Sequence, residues 1–190
     1  MAGRNTGFVS RGGQKLNAAI EAFALDVTGT PCADFGCNVG GFTDCLLQRG
    51  AGKVYAVDTG YGELAWKLRK DPRVVVMERT NALYCGAAQR VGLVTIDLAW
   101  TPQRLSIPAA MRWLEPGGRI ISLLKPHYEL EKIRGRKPLS PLSEAQNNDV
   151  CLAVCRQLRD GGNTVRAVAK CPLTGKGGNR EFFLLLRKEQ

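Results

Sequence analysis

The feature that most constrains this chain is a short apolar run followed by a glycine-rich loop, Pro31-Cys32-Ala33-Asp34-Phe35-Gly36-Cys37-Asn38-Val39-Gly40-Gly41-Phe42. The apolar part predicts a buried strand that ends at Gly36, and the residues from Phe42 onward predict a helix. Glycine can adopt positive φ and lets the backbone approach a ligand or a neighbouring helix closely. The helix would point its N–H groups and positive dipole end back at the loop. The pattern is typical of nucleotide-like cofactor sites, although an ordinary glycine-rich turn can show it too.

The loop differs from the dinucleotide fingerprint G-x-G-x-x-G in two ways. Asn38 stands where the second glycine would be, and Asp34 precedes the first glycine. A carboxylate aimed at a helix N-terminus would repel a pyrophosphate, but it would suit a cofactor with cationic or hydroxyl groups. The loop therefore favours S-adenosylmethionine over a nicotinamide dinucleotide.

Strand and helix patterns alternate along the rest of the chain. The predicted strands are 31–35, 53–58, 73–78, 93–98, 119–124, 163–170 and 181–187, and the predicted helices are 14–24, 42–49, 64–69, 105–114 and 143–158. A strand–helix unit repeated five times predicts a Rossmann-like α/β fold with a mostly parallel sheet and helices on both faces. The hairpin connection Thr174-Gly175-Lys176-Gly177-Gly178-Asn179 predicts a late antiparallel strand.

Length and composition indicate one globular domain with a basic N-terminal arm. The chain has 190 residues, of which 44% are hydrophobic, and this is enough for one sizeable core. Residues 1–13 are polar, glycine-rich and basic, and predict a mobile arm with a turn at Arg11-Gly12-Gly13; residues 14–190 predict the domain. The net charge of +10 favours a polyanionic partner, most often nucleic acid, although a merely soluble basic protein would also fit.

Cysteine and histidine usage argues against a metal site. The chain has seven cysteines, no C-x-x-C pair and one histidine, so no convincing zinc set can be assembled. The cysteines are interpreted as small buried hydrophobic residues in a reducing compartment. No apolar run reaches membrane-spanning length and no secretory leader is recognisable, so we expect a cytoplasmic protein without a membrane partner.

Polar residues stand at the carboxyl ends of five predicted strands. They are Asp34, Asp58, Asn81, Asp97 and Lys125. Since these ends meet at one edge of a parallel sheet, we expect the side chains around one crevice. Asp58 follows the glycine loop by roughly twenty residues, the place of an acid that accepts ribose hydroxyls in nucleotide-binding sheets. A helix N-cap is the alternative role for Asp58.

Two further charged residues could reach the same crevice. Glu181 opens the final strand, and Lys15 lies near the start of the first predicted helix. Nearby carboxylates favour a charged lysine, whereas a second lysine or desolvation favours the neutral base. Two lysines and two acids could therefore prepare one lysine to act on a hydroxyl. Two separate surface ion pairs are the alternative.

Several motifs together resemble the hemolysin-A-like (TlyA) branch of the FtsJ-type RNA methyltransferases. They are Ser10-Arg11-Gly12-Gly13-Gln14-Lys15-Leu16, Asp34-Phe35-Gly36, Gly40-Gly41-Phe42-Thr43-Asp44-Cys45-Leu46, Val54-Tyr55-Ala56-Val57-Asp58, Asp71-Pro72-Arg73-Val74, Glu78-Arg79-Thr80-Asn81-Ala82, Leu124-Lys125-Pro126 and Gly178-Asn179-Arg180-Glu181-Phe182. The resemblance covers nearly the whole chain. It implies S-adenosylmethionine as methyl donor and 2′-O-methylation of a ribose in structured RNA, with ribosomal RNA as the expected substrate.

The resemblance also implies roles for particular residues. The family's catalytic set corresponds to Lys15, Asp97, Lys125 and Glu181. The cofactor-binding positions are Asp34, Gly36, Cys37, Asn38, Gly40, Gly41 and Phe42, with Asp58 at the cofactor ribose, Asn81 near the adenine and Asp97 beside them. The basic residues expected to contact the RNA backbone are Arg4, Arg11, Lys132, Arg134, Arg136, Lys137 and Lys176.

The chain departs from this branch at three places. No S4-type RNA-binding domain precedes Ser10, so RNA targeting would come from the catalytic domain, a partner or a segment outside this sequence. Ile96-Asp97-Leu98-Ala99-Trp100 differs from the usual D-x-S-F-I run, and His127 stands where the branch often has glutamine. These departures keep a second hypothesis open, a non-catalytic RNA- or ribosome-binding protein. A small-molecule methyltransferase is a third.

Overall fold

The computed structural model of the chain describes residues 7–87, 89–135, 138 and 141–189. Its strands are β1 (Pro31–Phe35), β2 (Lys53–Val57), β3 (Val74–Met77), β4 (Val91–Ile96), β5 (Leu114–Leu124), β6 (Thr164–Lys170) and β7 (Phe182–Arg187). Its helices are α1 (Arg11–Ala22), α2 (Gly41–Gln48), α3 (Trp66–Arg69), α4 (Gln103–Met111), α5 (Pro126–Arg134) and α6 (Glu144–Asp160), with a 3₁₀ turn at Lys176–Gly178.

In the part of the chain that is described, seven strands form one sheet in the order β3-β2-β1-β4-β5-β7-β6. Strands β1 to β5 pair in parallel, and β7 runs antiparallel to both of its neighbours. The predicted Rossmann-like α/β fold with a late antiparallel strand is therefore confirmed. The strand order reverses between β1 and β4, and ligands of such sheets bind beyond the carboxyl ends at this reversal.

The register at the reversal sets the positions of two predicted site residues. Phe35 pairs with Ile96, so Gly36 and Asp97 lie side by side where their strands end. The Asp97 N–H donates to the Phe35 carbonyl at 2.9 Å, and the Gly36 N–H donates to the Val57 carbonyl at 2.9 Å. Backbone hydrogen bonds thus hold both residues in place without any contribution from side chains.

Helices cover both faces of the sheet, as predicted. On one face Trp113 is fully buried and meets the Phe35 ring edge-on, with 5.3 Å between the ring centroids. On the other face α1 and α2 bury Leu16 and Leu46 against Phe183. Every residue of β4 is buried, as expected for a central parallel strand.

The predicted start of the first helix is wrong. The helix begins at Arg11 rather than Gln14, so Gly12 and Gly13 are helical and do not form a turn. The Ser10 side chain caps this end by accepting from the Gly12 N–H at 3.3 Å. Because Gly13 has no side chain, α1 can pack closely against α2: a Cβ on Gly13 would come 3.0 Å from the Gly41 carbonyl oxygen.

Other predicted boundaries also shift. A helix that is absent from the predicted set starts directly after Lys125, with Pro126 at its first position, and extends to Arg134. Strand β5 begins at Leu114 rather than at Arg119. Among the described residues, no helix separates β3 from β4, so the strand–helix unit is not repeated at that point.

No helix in the described ranges combines the length and apolar character needed to cross a membrane.

Candidate active site

The glycine-rich loop adopts a backbone that favours glycine at two positions. Gly36 has a φ of +85°, and a Cβ there would lie 2.6 Å from the Asp97 carbonyl oxygen. Gly40 has a φ of +96°, and a Cβ there would overlap the Leu68 side chain. The two glycines therefore let the loop pass close to the end of β4 on one side and to α3 on the other.

Asp58 is held at the rim of this loop by two backbone donors. Its Oδ2 accepts from the Asn38 N–H at 2.8 Å, and its Oδ1 accepts from the Gly60 N–H at 2.7 Å. Each carboxylate oxygen keeps a lone pair for a further donor. The position fits the predicted role at a ribose, which stays a prediction.

Two adjoining cavities open at this edge of the sheet, and together they are called the cleft. The first has a volume of about 430 Å³, and its lining includes Lys15, Phe42 and Lys125. The second has a volume of about 270 Å³, and its lining includes Asp58, Asn81 and Trp100. The residues that line both cavities are Gly36, Asn38, Asp97 and Ala99.

The four predicted catalytic residues form two ion pairs beside the first cavity. Lys15, Asp97 and Lys125 line this cavity, whereas Glu181 lines neither cavity of the cleft and pairs with Lys15. Lys15 Nζ lies 2.5 Å from Glu181 Oε2, and Lys125 Nζ lies 2.5 Å from Asp97 Oδ1. The side chains of Lys15 and Lys125 are only 12% and 15% exposed, and that of Glu181 is 3% exposed. The Asp97 side chain is 27% exposed, so none of the four side chains is fully exposed as in a surface ion pair.

The two ion pairs influence each other. Burial raises the pKa of Glu181, and the hydrogen bond from Lys15 opposes this shift. Lys125 also acts to lower the pKa of Glu181, whereas the Asp97 charge raises it. The charges of both lysines and of Asp97 therefore act on the Glu181 carboxyl group.

Helix α1 brings Lys15 to the cleft. Its first turn lies against α2, where a Cβ on Gly41 would come 2.9 Å from the Gly13 nitrogen. Two residues beyond this contact, the Lys15 side chain reaches the cavity lined by Gly41 and Phe42. The close approach of two helix N-termini at glycines is thus what positions the lysine.

Asp34 is placed differently from the prediction. Its side chain is fully buried and lines neither cavity of the cleft. Its Oδ2 accepts from the Thr43 hydroxyl at 2.7 Å and its Oδ1 from the Thr95 hydroxyl at 3.2 Å. Burial raises the pKa of Asp34 to about 7, and both hydroxyl bonds act in the opposite direction. The carboxyl group supports the loop by linking β1 to α2 and to β4 through these two hydrogen bonds.

The pKa of Asp34 leads to a prediction about stability. The folded state holds the Asp34 proton more firmly than the unfolded chain does. The contribution of Asp34 to the free energy of unfolding should therefore be fully present below about pH 4 and be lost as the pH rises toward about 7. Asp34→Asn should remove this loss, which we expect to be about 2–4 kcal/mol. Urea unfolding at pH 4 to 8 measures it. Asp26→Asn, at an exposed acid, is the control that should retain the loss; a wild-type protein whose stability does not fall across this range would contradict the assignment.

Of the predicted RNA-contacting residues, two are described with their side chains. Arg11 lines the first cavity and donates from Nη2 to the Thr174 carbonyl at 2.9 Å. Lys132 is exposed on α5. The side chains of Arg134 and Lys176, and the whole of Arg4, Arg136 and Lys137, lie outside what the structure describes. RNA binding by this set stays a prediction.

Two aromatic residues beside the cleft were missed by the sequence analysis. Trp100 is 55% exposed, has a φ of +65° and lines the second cavity. Its ring centroid lies 4.8 Å from that of Tyr128, and Lys125 Nζ lies 5.8 Å from the Tyr128 centroid. The available signal was the departure Ala99-Trp100 just after Asp97, since a large aromatic residue at a strand end of the cleft is suited to stacking.

Comparison with known proteins finds similarity to methyltransferases. Residues 8–188 match the family model of the FtsJ-like methyltransferases. The chain is 43% identical over 188 residues to the 16S/23S rRNA (cytidine-2′-O)-methyltransferase TlyA of Mycobacterium tuberculosis, a match that covers 96% of this chain and 69% of that protein. It is 26% identical to the 23S rRNA (cytidine-2′-O)-methyltransferase TlyA of Campylobacter jejuni, covering 93% of this chain and 69% of that protein.

A solved structure of similar fold comes from Streptococcus thermophilus, where the protein is described as a candidate hemolysin. It superposes with a TM-score of 0.89 at 33% identity, covering 100% of this chain and 70% of that one. The N-methyltransferase NodS of Bradyrhizobium japonicum, in complex with S-adenosylhomocysteine, has a TM-score of 0.64 at 14% identity and shares the fold. That match covers 95% of this chain and 86% of the NodS chain.

Proposed function

This chain belongs to the hemolysin-A-like branch of the FtsJ-like methyltransferase family, and we propose that it methylates the 2′-hydroxyl of a ribose in ribosomal RNA with S-adenosylmethionine as donor. The observation that carries the proposal is that Lys15, Asp97 and Lys125 line one cavity together with the glycine loop, with Lys15 paired to Glu181 and Lys125 paired to Asp97. We also propose a cytoplasmic location, because ribosomal RNA is the proposed substrate.

The cleft residues fit S-adenosylmethionine. The residues that would hold it are Gly36, Cys37, Asn38, Gly41, Phe42, Asp58 and Asn81, which line the two cavities. Asp58 and Asp97 give the second cavity an acidic lining, which suits hydroxyl groups and a positive charge and would repel a pyrophosphate. When bound, the donor supplies a methyl group that its sulfonium makes reactive, so the protein's main task is to position the acceptor.

The proposed roles follow from the two ion pairs. Lys125 orients the 2′-hydroxyl and takes its proton on Nζ when that amine is neutral, and Asp97 stabilises the ammonium that results. Lys15, whose orientation Glu181 fixes, places a positive charge beside the developing oxyanion or the adjacent phosphate. Both steps use side chains that are already held in place, which limits reorganisation during the reaction.

The surface around the cleft favours RNA over a small molecule. The net charge is +10, and Arg11 lies at the cavity lining. Trp100 is exposed and packs against the half-buried Tyr128, whose ring lies 5.8 Å from Lys125 Nζ. Proteins that bind unpaired nucleotides commonly stack bases on exposed aromatic side chains.

Trp100→Ala is expected to raise the KM for RNA about tenfold, since stacking of one base is worth about 1–3 kcal/mol. Trp100→Phe keeps a ring and should remain within about threefold of wild type. Trp66→Ala removes a similarly exposed tryptophan that lines neither cavity, and it serves as the matched control. Steady-state kinetics with RNA varied at saturating donor measure this effect, and an unchanged KM in Trp100→Ala would contradict a stacking role.

The direct test is methyl transfer from labelled S-adenosylmethionine to total RNA and to isolated ribosomal subunits, followed by mapping of the modified ribose. Label at a ribose 2′ oxygen of ribosomal RNA is the expected result. Tight, salt-sensitive RNA binding without transfer to any RNA would instead favour the non-catalytic RNA-binding hypothesis. Transfer to a small molecule only would reject RNA as the substrate.

A further inference from the structure

The loop between β6 and β7 contains three glycines that differ in backbone conformation. Gly177 and Gly178 have φ values of +72° and +77°, which favour glycine. Gly175 has φ −71° and ψ −171°, an extended conformation that any residue can adopt. The backbone therefore gives no reason for glycine at position 175.

The space around Gly175 does give a reason. A Cβ at this position would overlap Glu181 Oε1 and lie 2.8 Å from Glu181 Cδ. The carboxylate is buried, and its other oxygen, Oε2, lies 2.5 Å from Lys15 Nζ. The backbone of residue 175 thus forms the wall against which the Glu181 carboxylate rests while it holds Lys15.

Hydrogen bonds fix the loop backbone on both sides of this contact. The Gly175 N–H donates to the Asn179 carbonyl at 2.8 Å, and the Gly178 N–H donates to the Gly175 carbonyl at 3.2 Å. From helix α1, Arg11 donates to the Thr174 carbonyl at 2.9 Å. With the backbone fixed, an added methyl group would displace the movable end of the Glu181 side chain rather than the loop.

We propose that Gly175 is a positioning residue for the reaction, and that its missing side chain provides the space in which the Glu181 carboxylate reaches Lys15. The consequence for catalysis rests on the proposed function; the contact itself does not. The β6–β7 connection, which the sequence predicted as a hairpin connection, is on this view a wall of the active site.

Gly175→Ala is expected to separate Glu181 from Lys15 without unfolding the protein, because its backbone conformation suits alanine. The kcat should fall about 10²-fold, as expected when a reacting group is misplaced by about 1 Å, while the KM for the methyl donor stays within about twofold. Gly175→Ser is a second variant with the same expected effect. Gly178→Ala is the loop control: it strains a positive-φ glycine but has open space around its Cβ position, so its kcat should stay within about threefold of wild type.

A second readout does not depend on activity. Carbon-13 NMR of glutamate-labelled protein, without RNA or donor, follows the titration of the Glu181 carboxyl group. Since the hydrogen bond from Lys15 lowers the pKa of Glu181 against the effect of burial, losing that bond should raise the pKa in Gly175→Ala and leave it unchanged in Gly178→Ala. An unchanged Glu181 pKa in Gly175→Ala would overturn the proposal, even if the wild-type protein methylates no RNA and the proposed function fails.

A double-mutant cycle with Glu181→Asp excludes simple blockage of the cavity, since Gly175 also lines it. Aspartate ends one methylene earlier, so a methyl group at position 175 no longer meets its carboxylate. Adding Gly175→Ala should therefore lower kcat less than about twofold in the Glu181→Asp background, against about 10²-fold in the wild type. Equal losses in both backgrounds would show that the methyl group obstructs the substrate, and would reject the positioning role.

Discussion

Lys125→Ala is expected to lower methyl transfer about 10²–10⁴-fold, the range that a positioned general base contributes. Lys125 Nζ lies 2.5 Å from Asp97 Oδ1, its side chain is 15% exposed, and it lines the first cavity of the cleft. The loss should appear in kcat, because the variant removes the group that acts on the hydroxyl. The KM for RNA should change less. Single-turnover transfer to ribosomal subunits, with donor binding measured separately by calorimetry, checks both expectations.

Two further variants show which property of Lys125 matters. Arginine keeps the positive charge but stays protonated at any ordinary pH, so Lys125→Arg should be nearly as inactive as the alanine variant if Lys125 accepts a proton. Lys170→Ala removes a lysine that is 64% exposed and paired with Glu144, and it should retain wild-type rates. Near-normal turnover in Lys125→Ala would reject the mechanism, whereas an active Lys125→Arg would leave a purely electrostatic role.

The parts of the site that sequence predicts well are those fixed by strand ends. Asp58, Asn81, Asp97 and Lys125 each stand at or just beyond the carboxyl end of a predicted strand, and the parallel sheet brings their positions to one edge. This follows from the shared direction of the parallel strands and needs no knowledge of side-chain packing. The late antiparallel strand was predictable for a similar reason, because a short glycine-rich connection permits a hairpin.

The parts that sequence predicts poorly depend on contacts between distant segments. Lys15 reaches the cleft because α1 packs against α2 at glycines, and sequence spacing carries no signal for that approach. Asp34 precedes the glycine loop, which suggested a ligand contact, yet its side chain points into the core toward two threonine hydroxyls. In both cases a tertiary contact outweighed the local pattern, and the expectation of Lys15 at the cleft rested mainly on the resemblance to the family.

Gly36→Ala should cause the largest combined loss of stability and donor binding, because Gly36 joins the glycine loop to the catalytic pair. Alanine at a φ of +85° costs about 1–2 kcal/mol of backbone strain. Its Cβ would also lie 2.6 Å from the Asp97 carbonyl oxygen, a backbone atom that cannot rotate away. Relieving this overlap should cost about 1–3 kcal/mol more and displace Asp97 relative to the loop.

The control for this prediction is Gly29→Ala, which separates strain from contact. Gly29 has a φ of +69°, nothing lies near its Cβ position, and it precedes β1 at the opposite edge of the sheet from the cleft. In urea unfolding, Gly29→Ala should lose only about 1–2 kcal/mol of stability, which is the cost of backbone strain, and it should bind S-adenosylmethionine like the wild type. Gly36→Ala should lose more stability and bind the donor at least about tenfold more weakly, which is about 1.4 kcal/mol. Equal behaviour of the two variants would mean that the approach of Gly36 to Asp97 does not shape the cleft, and the donor site would then have to be sought away from this loop.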